Sequence, residues 1–275
     1  MAKQIIYNML SDTNFREYKK TVRAAGCRVR PSLTGTAIVS LLFVLLLASS
    51  CRKAGLMMKA GDTVSITVAL ADFNEIELHD RVDLVLTYDT LETAIRIEAG
   101  ENIIPSIETS VTGNRLIIRD NSKFRWTRDL DYRVTIYINK SNIRKLEYHG
   151  AGNITSTNIL KAREFIIDSW TGVGSFQLQL EAGYTEITIR KANADIMLTG
   201  SSDYTRIYCA DHGSFNLLDF PSSEIHMDYR SIRDSYLNVT DVITARMLYK
   251  GNVYLKGKPE IRPFYNSSGL LIPIP

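Results

Sequence analysis

Short turns rich in glycine and polar residues recur through the second half of the chain, and each leads into an apolar residue. These apolar residues are separated by 22, 20, 19, 21, 17 and 17 positions. A recurring period near twenty is typical of a solenoid, in which each repeat forms one coil stacked on the next. The residues that define the period are Ile154, Phe176, Ile196, Phe215, Tyr236, Val253 and Leu270.

One such repeat cannot fold alone, because burying its few apolar side chains does not offset the conformational entropy lost in ordering its backbone. Neighbouring repeats must therefore share buried faces and hydrogen bonds. We predict an all-β, β-helix-like solenoid in which equivalent side chains stack into ladders. The ladder after the turns is predicted to contain Ile154, Phe176, Ile196, Phe215 and Val253, and the ladder before them Ile167, Ile189, Ile207 and Met227.

Residues 62–140 alternate apolar and polar side chains but show no clear twenty-residue period. Alternation with period two indicates β-strands, and Gly113-Asn114 between two apolar runs predicts a tight hairpin turn. We predict paired strands at the N-terminal end of the solenoid, with a separate β-sandwich as the alternative. Residues 121–131 interrupt the alternation and are predicted to form a loop.

The N-terminal region indicates export. Residues 37–48 are twelve uncharged, mostly apolar positions preceded by Arg28 and Arg30. This run is too short to span a bilayer as a helix and suits the apolar core of a signal peptide. The following Leu47-Ala48-Ser49-Ser50-Cys51 resembles the lipobox of bacterial lipoproteins, which implies cleavage before Cys51 and lipidation of its thiol. An ordinary signal peptide or an anchor helix is the alternative.

The predicted organisation is therefore a lipoprotein signal peptide over residues 1–50, a tether over 51–61 and one all-β domain over 62–275. A lipid on Cys51 would attach the domain to a membrane. In some bacterial lipoproteins that are exported to the cell surface an acidic run follows the lipidated cysteine, and Arg52-Lys53-Ala54-Gly55 lacks one. We therefore expect the periplasmic face of the outer membrane rather than the cell surface.

The net charge of +3 comes from the leader. Residues 1–50 hold seven of the 33 basic and two of the 30 acidic residues, which leaves 26 basic and 28 acidic residues in the remainder. A nearly neutral domain gives no electrostatic basis for binding nucleic acid. Cys209 is the one cysteine beyond Cys51, and its alternating surroundings predict a small buried side chain rather than a nucleophile.

Residues 66–272 resemble the GIN-type "putative auto-transporter adhesin head" domain of Bacteroidetes lipoproteins. The resemblance depends on Ala71-Asp72-Phe73-Asn74-Glu75-Ile76, on Glu101–Pro105, on Thr112–Ile118 and on the repeated glycine turns. The most similar stretch is Tyr249–Pro259. The resemblance implies a β-helix-like all-β fold and no known activity. Several turns of this chain lack the glycine of the family pattern, notably at 192–195 and 231–235.

The sequence contains no catalytic constellation. Asp195 is the one acid at its place in the ladder of turns, and a single carboxylate does not supply the acid and base that hydrolysis needs. Asp203, Asp211 and Asp234 could converge on one face, although their positions favour solvated loop acids. The four histidines show no metal-ligand spacing, so we expect no metal and no cofactor.

Four aromatic residues that precede successive turns, with one turn skipped, are the main candidates for ligand contact: Tyr148, Trp170, Tyr208 and Tyr229. Stacked on one outer face, they would form a platform for sugar rings. The alternative is that they cover the edges of the core or stabilise neighbouring strands. Trp126, with Phe124, Arg125 and Arg128 in the predicted loop, is a second candidate patch.

These observations predict a non-enzymatic envelope lipoprotein that binds a glycan or an envelope protein. Two other hypotheses remain open from the sequence. One is a polysaccharide-degrading enzyme on the same fold that uses Asp195, and the other is a purely structural envelope domain without a small ligand.

Overall fold

The computed structural model describes residues 60–89, 94–122 and 132–275, without the side chains of Pro263 and Phe264. Within these residues the protein consists of β-strands and one short 3₁₀ turn, Ile104–Ser106. The strands are β1 (Thr63–Ala69), β2 (Glu75–Leu78), β3 (Val82–Thr87), β4 (Ala94–Gly100), β5 (Ile107–Thr112), β6 (Arg115–Asp120), β7 (Val134–Asn139), β8 (Lys145–Tyr148), β9 (Ile154–Ser169), β10 (Val173–Ile189), β11 (Asn193–Cys209), β12 (Ser214–Tyr229), β13 (Ser235–Met247), β14 (Val253–Lys256), β15 (Glu260–Asn266) and β16 (Leu271–Ile274).

Strands β9 to β13 are the central coils of a β-solenoid, as the repeat predicted. Each pairs in parallel with the next over both of its halves. Register shifts interrupt three of these four pairings, β9–β10, β11–β12 and β12–β13, and separate a first half of the coil from a second half. A short turn then leads into the next coil. Buried side chains from both halves belong to one hydrophobic cluster, so the core runs along the inside of the stack.

The predicted ladder after the turns is confirmed. Ile154, Phe176, Ile196 and Phe215 occupy successive paired positions and are buried. The structure corrects two members of the repeat: Ser235 rather than Tyr236 follows Phe215 in this ladder, and Leu271 rather than Leu270 follows Val253. The buried Ser235 hydroxyl accepts a hydrogen bond from the Phe215 backbone N–H at 3.0 Å. At this coil a serine therefore occupies the ladder position that apolar residues hold in the neighbouring coils.

The predicted ladder before the turns is wrong at one position. Ile187, not Ile189, pairs with both Ile167 and Ile207, and the ladder continues to Met227. Ile189 lies two residues further on, between Ser169 and Cys209. Both isoleucines face the core, because side chains two residues apart in a strand point to the same side. Alternation alone cannot separate two buried ladders of the same face.

The N-terminal strands extend the two halves of the solenoid and do not form a separate β-sandwich. On the side of the first halves, β3 pairs in parallel with β9, and β7, β4 and β1 follow outward. On the side of the second halves, β8 pairs with β9, and β2, β6 and β5 follow outward. The β1–β4, β4–β7 and β5–β6 pairings are antiparallel. This confirms the prediction of paired strands at the N-terminal end of the solenoid.

The predicted hairpin is confirmed, since Thr112 pairs with Arg115 across Gly113-Asn114. Gly113 has a φ of 63°, which is the left-handed conformation that glycine adopts without steric cost. The predicted loop over 121–131 lies mostly outside the described residues.

Two turn glycines are required by the close approach of successive coils. A Cβ atom on Gly174 would lie 2.1 Å from the carbonyl oxygen of Gly152 and 2.6 Å from the Tyr148 hydroxyl. A Cβ atom on Gly152 would lie 2.0 Å from the carbonyl oxygen of Val82. A larger residue at either position would separate the coils, so these glycines set the stacking distance at the turns.

The central ladder should carry much of the stability of the fold. Phe176 is buried between Ile154 and Ile196, and its ring packs edge-on against Tyr148 at 5.3 Å. We expect Phe176→Ala to lower the free energy of unfolding by about 3–5 kcal/mol through lost burial and the cavity left behind. Chemical denaturation measures the change. Met197→Ala on the outer face is the matched control and should change stability by less than about 1 kcal/mol. Similar losses for both variants would contradict the assigned ladder.

Candidate functional site

Two of the four predicted platform residues face the core, so that part of the prediction is wrong. Tyr148 and Tyr229 are buried and occupy the same ladder as Ile189 and Cys209. The Tyr148 hydroxyl donates a 2.7 Å hydrogen bond to the carbonyl oxygen of Gly152. Burial raises the pKa of each tyrosine to about 12. These side chains brace the turns from inside and are not available to a ligand.

The other two predicted platform residues point outward but do not form a continuous surface. Tyr208 pairs with Thr188 and lies two residues before the position equivalent to Trp170. Trp170 is 40% exposed, yet both of its ring faces are covered. His149 stacks against it at 6.1 Å between ring centroids, and the Arg190 guanidinium lies 4.3 Å from its ring centre. Trp170 therefore has a stacked neighbour on each side and no fully open ring face.

Trp170 belongs to a stack of four side chains along the solenoid axis, which we call the ring stack: His79, His149, Trp170 and Arg190. Each comes from the end of a strand, in the strand order β2, β8, β9 and β10. The two imidazole rings lie 4.7 Å apart and are nearly parallel, at 7°. In the ring stack, aromatic faces contact one another and one guanidinium cation. These contacts stabilise the neighbouring strands. The alternative reading of the aromatic residues, that they stabilise neighbouring strands, explains Trp170.

A row of three carboxylates runs beside the ring stack, and we call it the acid row: Glu77, Glu147 and Asp168. These residues occupy paired positions on β2, β8 and β9. Arg115 lies 3.0 Å from Glu77 and 3.7 Å from Glu147, and Arg190 lies 3.1 Å from Asp168. His79 and His149 hydrogen-bond to Glu77 and Glu147 at 2.6 and 3.0 Å. Each carboxylate thus has at least one cationic or hydrogen-bonding partner.

Charged and hydrogen-bonding partners favour the ionised form of the two glutamates in the acid row. Partial burial raises the pKa of Glu77, but hydrogen bonds with His79 and Arg115 outweigh it, so the net pKa lies below the ordinary value. Glu147 shows the same balance, with hydrogen bonds from His149 and Lys145. Hydrolysis of a glycosidic bond needs one carboxyl group with a raised pKa as the general acid. Neither glutamate has this property.

The acid row was missed at the level of sequence, although a signal was present. Glu77-Leu78-His79 and Glu147-Tyr148-His149 share one pattern, a glutamate and a histidine on either side of a buried residue. They lie seventy positions apart, outside the twenty-residue period, and pair directly because β2 lies beside β8. Recognising the motif requires the strand order, which the repeat does not give.

Three of the four acids considered for catalysis, Asp195, Asp211 and Asp234, serve separate local contacts. Asp195 accepts a 2.7 Å hydrogen bond from Ser214 and pairs with Arg233. Burial raises its pKa, but these partners hold the net value below the ordinary one. Asp234 accepts a hydrogen bond from the Asn252 backbone, and Asp211 pairs with His212. Within the described residues no group of three or more potential ligands could hold a metal ion.

Cys209 is buried, as its alternating surroundings predicted. Burial raises the pKa of its thiol to about 11, so the thiolate form that reacts is suppressed at neutral pH. Cys51 and Trp126, the other two residues singled out from the sequence, lie outside the described residues. Their predicted roles therefore stay predictions.

A groove of about 490 Å³ lies along the turns that follow β11, β12 and β13. We call it the turn-edge groove, and it is lined by residues 210–212, 248 and 249 together with Arg230 and Ile232. Ile232 and Tyr249 are 51% and 54% exposed, and Leu270 in the next turn is 54% exposed. Arg230, Asp211 and His212 supply polar groups to the same groove. An apolar groove with a few polar groups is the usual form of a binding site.

Comparison with known proteins agrees with this architecture. The family described as "Putative auto-transporter adhesin, head GIN domain" matches residues 72–259. The chain belongs to the GIN-domain family. The resemblance seen in the sequence is thereby confirmed, and family membership associates this GIN-domain protein with the cell envelope.

Solved structures share the fold of this GIN-domain protein. A "putative adhesin" from Bacteroides fragilis is 19% identical, with a TM-score of 0.67 over 79% of this chain and 100% of that one. A "putative adhesin" from Parabacteroides distasonis is 15% identical, with a TM-score of 0.58 over 79% and 99%. A "Putative lipid binding protein" from the same organism is 14% identical, with a TM-score of 0.53 over 78% and 96%. None of the curated proteins searched matches the chain.

The acid row gives the GIN-domain protein a defined response to acid. The folded-state pKa values of Glu77 and Glu147 lie below the ordinary 4.5. Their contribution to stability is therefore full above about pH 4.5 and is lost as the pH falls through the folded-state pKa values. We expect the double variant Glu77→Gln/Glu147→Gln to flatten the fall in unfolding free energy between about pH 5 and about pH 3, a window that begins just above the ordinary pKa of 4.5 and extends below it. Denaturant titrations at each pH measure the slope.

The double variant Glu98→Gln/Glu181→Gln serves as the control, since these carboxylates are exposed on other strands. It should leave the slope close to that of the unchanged protein, because exposed ion pairs contribute little. An equal flattening in both double variants would show that the acid row has no special coupling to the fold.

Proposed function

We propose that this GIN-domain protein is a non-enzymatic binding protein of the cell envelope, lipid-anchored through Cys51, whose turn-edge groove holds a polypeptide segment of an envelope protein. The observation that carries the proposal is the concentration of exposed apolar side chains at this groove. Ile232 and Tyr249 line the groove and come from successive turns of the stack, and Leu270 is exposed in the turn that follows them. Exposed apolar side chains that gather at one edge mark interaction sites more often than single scattered ones.

The choice of a polypeptide over a glycan follows from the ring geometry. A sugar ring binds by stacking on an exposed aromatic face. Both faces of Trp170 are covered, and Tyr236 stacks on Tyr254 at 4.9 Å. Tyr184 stacks on Tyr204 at 5.6 Å. The turn-edge groove instead combines aliphatic Ile232 and Leu248 with one tyrosine, a surface that suits apolar side chains of a protein partner.

The proposed anchor is supported by the order of residues at the N-terminal end. An uncharged run over 37–48 precedes small residues and Cys51. In the described part of the chain, no helix has the length and apolar character needed to cross a membrane. We place the domain on the periplasmic face of the outer membrane because Arg52-Lys53-Ala54-Gly55 lacks an acidic run. The lowered pKa values of Glu77 and Glu147 favour binding over hydrolysis.

Replacing the proposed lipidation site tests the anchor. We expect the full chain to partition into the detergent phase after expression in a bacterial host and Cys51→Ser to leave that phase. Incorporation of labelled fatty acid into the unchanged chain, and its loss in Cys51→Ser, provides a direct readout. Cys27→Ser is the matched control and should keep the label. Labelling that persists in Cys51→Ser would contradict the proposed anchor site.

Ligand selection tests the turn-edge groove. A random-peptide library and a glycan array are probed in parallel with the purified protein. We expect peptides that carry an apolar anchor residue to bind, and Ile232→Ser or Tyr249→Ala to weaken them at least about tenfold, since apolar anchors dominate such interfaces. The control Met197→Ser alters an exposed apolar residue on the outer face of β11 and should leave binding unchanged.

Three outcomes would contradict the proposal. Selection of glycans alone would exclude a polypeptide ligand. Peptide binding that Ile232→Ser and Tyr249→Ala leave unchanged would place the binding surface elsewhere. The absence of any bound peptide would remove the groove as a peptide site.

A further inference from the structure

Strand β1 is an edge strand that lacks the usual protection against pairing. In the described part of the chain it pairs only with β4. Its seven residues, TVSITVA, contain no charge and no proline. The other edge strands are protected, because β15 and β16 each contain proline and β5 contains Glu108. An uncharged edge of this kind is a template for pairing with another chain.

The backbone groups that face the open edge of β1 can be assigned from its register. The Glu101 N–H donates to the carbonyl oxygen of Asp62 at 2.9 Å, and these residues continue the β1–β4 register. In an antiparallel pair, hydrogen-bonded and non-hydrogen-bonded positions alternate. Val64, Ile66 and Val68 therefore bond to β4, and the N–H and C=O groups of Thr63, Ser65 and Thr67 point to the open edge.

The apolar side chains of β1 are also incompletely covered. Val64, Ile66 and Val68 lie on the same face as their buried partners Ala99, Ile97 and Ile95. Val68 packs against the hydrophobic core, while Ile66 is 38% exposed. The end of the core therefore presents a strip of apolar side chains next to unpaired backbone groups. A second strand would cover both.

The sequence of β1 is nearly symmetric about Ile66, reading Val-Ser-Ile-Thr-Val from 64 to 68. An antiparallel copy centred on Ile66 would place Val64 opposite Val68, and Ser65 opposite Thr67, of the second copy. Ser65 and Thr67 carry the outward-pointing backbone groups, so each would exchange reciprocal hydrogen bonds with the other. Apolar side chains would meet apolar ones and hydroxyls would meet hydroxyls. In this register the outward-pointing N–H and C=O groups of both copies are hydrogen-bonded. A two-fold axis relates the two copies, so the assembly ends at a dimer.

We propose that β1 is a self-association edge, at which two copies of this protein pair antiparallel about Ile66 and join their solenoids end to end. The N-terminal ends of both copies then meet. Only eleven residues separate Cys51 from Thr63, so both chains leave the junction on short tethers. Edge pairing buries less area than a standard interface of about 1,600 Å², so association is expected in the micromolar range.

Disulfide trapping tests the register on the purified full chain in detergent, at tens of micromolar and with a mild oxidant. Cys27→Ser and Cys51→Ser form the background, so the result does not depend on a lipid anchor, and Cys209 is buried. Ile66→Cys should form a disulfide-linked dimer. Differently tagged Val64→Cys and Val68→Cys chains should cross-link to each other. Val64→Cys alone or Val68→Cys alone should give at least about tenfold less disulfide-linked dimer. The two introduced cysteines would lie four positions apart along the paired strands, which is beyond disulfide reach.

A proline at the open edge tests the hydrogen bonds. The N–H of Thr67 points away from β4, so Thr67→Pro should leave the fold intact and abolish the Ile66→Cys dimer. Thr67→Val keeps the N–H group and should retain the dimer. Thermal unfolding of both variants, expected within a few degrees of the parent, confirms that the fold survives.

Several results would overturn the proposal. Ile66→Cys could remain monomeric, or Val64→Cys could cross-link to itself as well as to Val68→Cys. Thr67→Pro could fold and still dimerise. Slow amide exchange at Ser65 and Thr67 in a dilute, monomeric sample would show that a segment of the same chain already covers this edge.

Discussion

Stacking of one coil on the next is the interaction on which the rest of the structure depends. Each strand from β9 to β13 bonds to its neighbours along both halves, and its buried side chains touch those above and below. No coil has a core of its own. The outer surface is therefore organised in rows, since equivalent positions of successive coils lie side by side. The ring stack and the acid row are two such rows, with positions fixed by the backbone register.

The fold was predictable where the repeat is regular. Ile154, Phe176, Ile196 and Phe215 follow the turns at nearly constant spacing, and the structure aligns them. The error at Ile189 arose because two buried ladders lie two residues apart on one face. The position of Ser235 was hidden because a hydrogen-bonded serine takes a place that apolar residues hold elsewhere. Neither feature leaves a mark on hydrophobic periodicity.

The surface was harder to predict than the core. Whether a side chain points inward or outward depends on the residue from which the alternation of the strand is counted. Tyr148 and Trp170 stand before successive turns, yet they lie one ladder position out of step, so one points inward and the other outward. The contact of His79 with His149 depends on a pairing between strands seventy residues apart. The turn-edge groove could not be foreseen either, since its residues are ordinary turn residues until three turns are placed together.

The insertion of β2 between β6 and β8 ties the N-terminal region together in an order that differs from the chain order. Residue 76 must meet residues 116 and 146, so this end has a high contact order and should form slowly. The later coils add contacts between neighbours in sequence and can assemble progressively. During synthesis from the N-terminus, β2 cannot pair with β8 until residue 148 has left the ribosome. Loss of the last strand would shorten the stack, whereas loss of β2 would leave a gap within it.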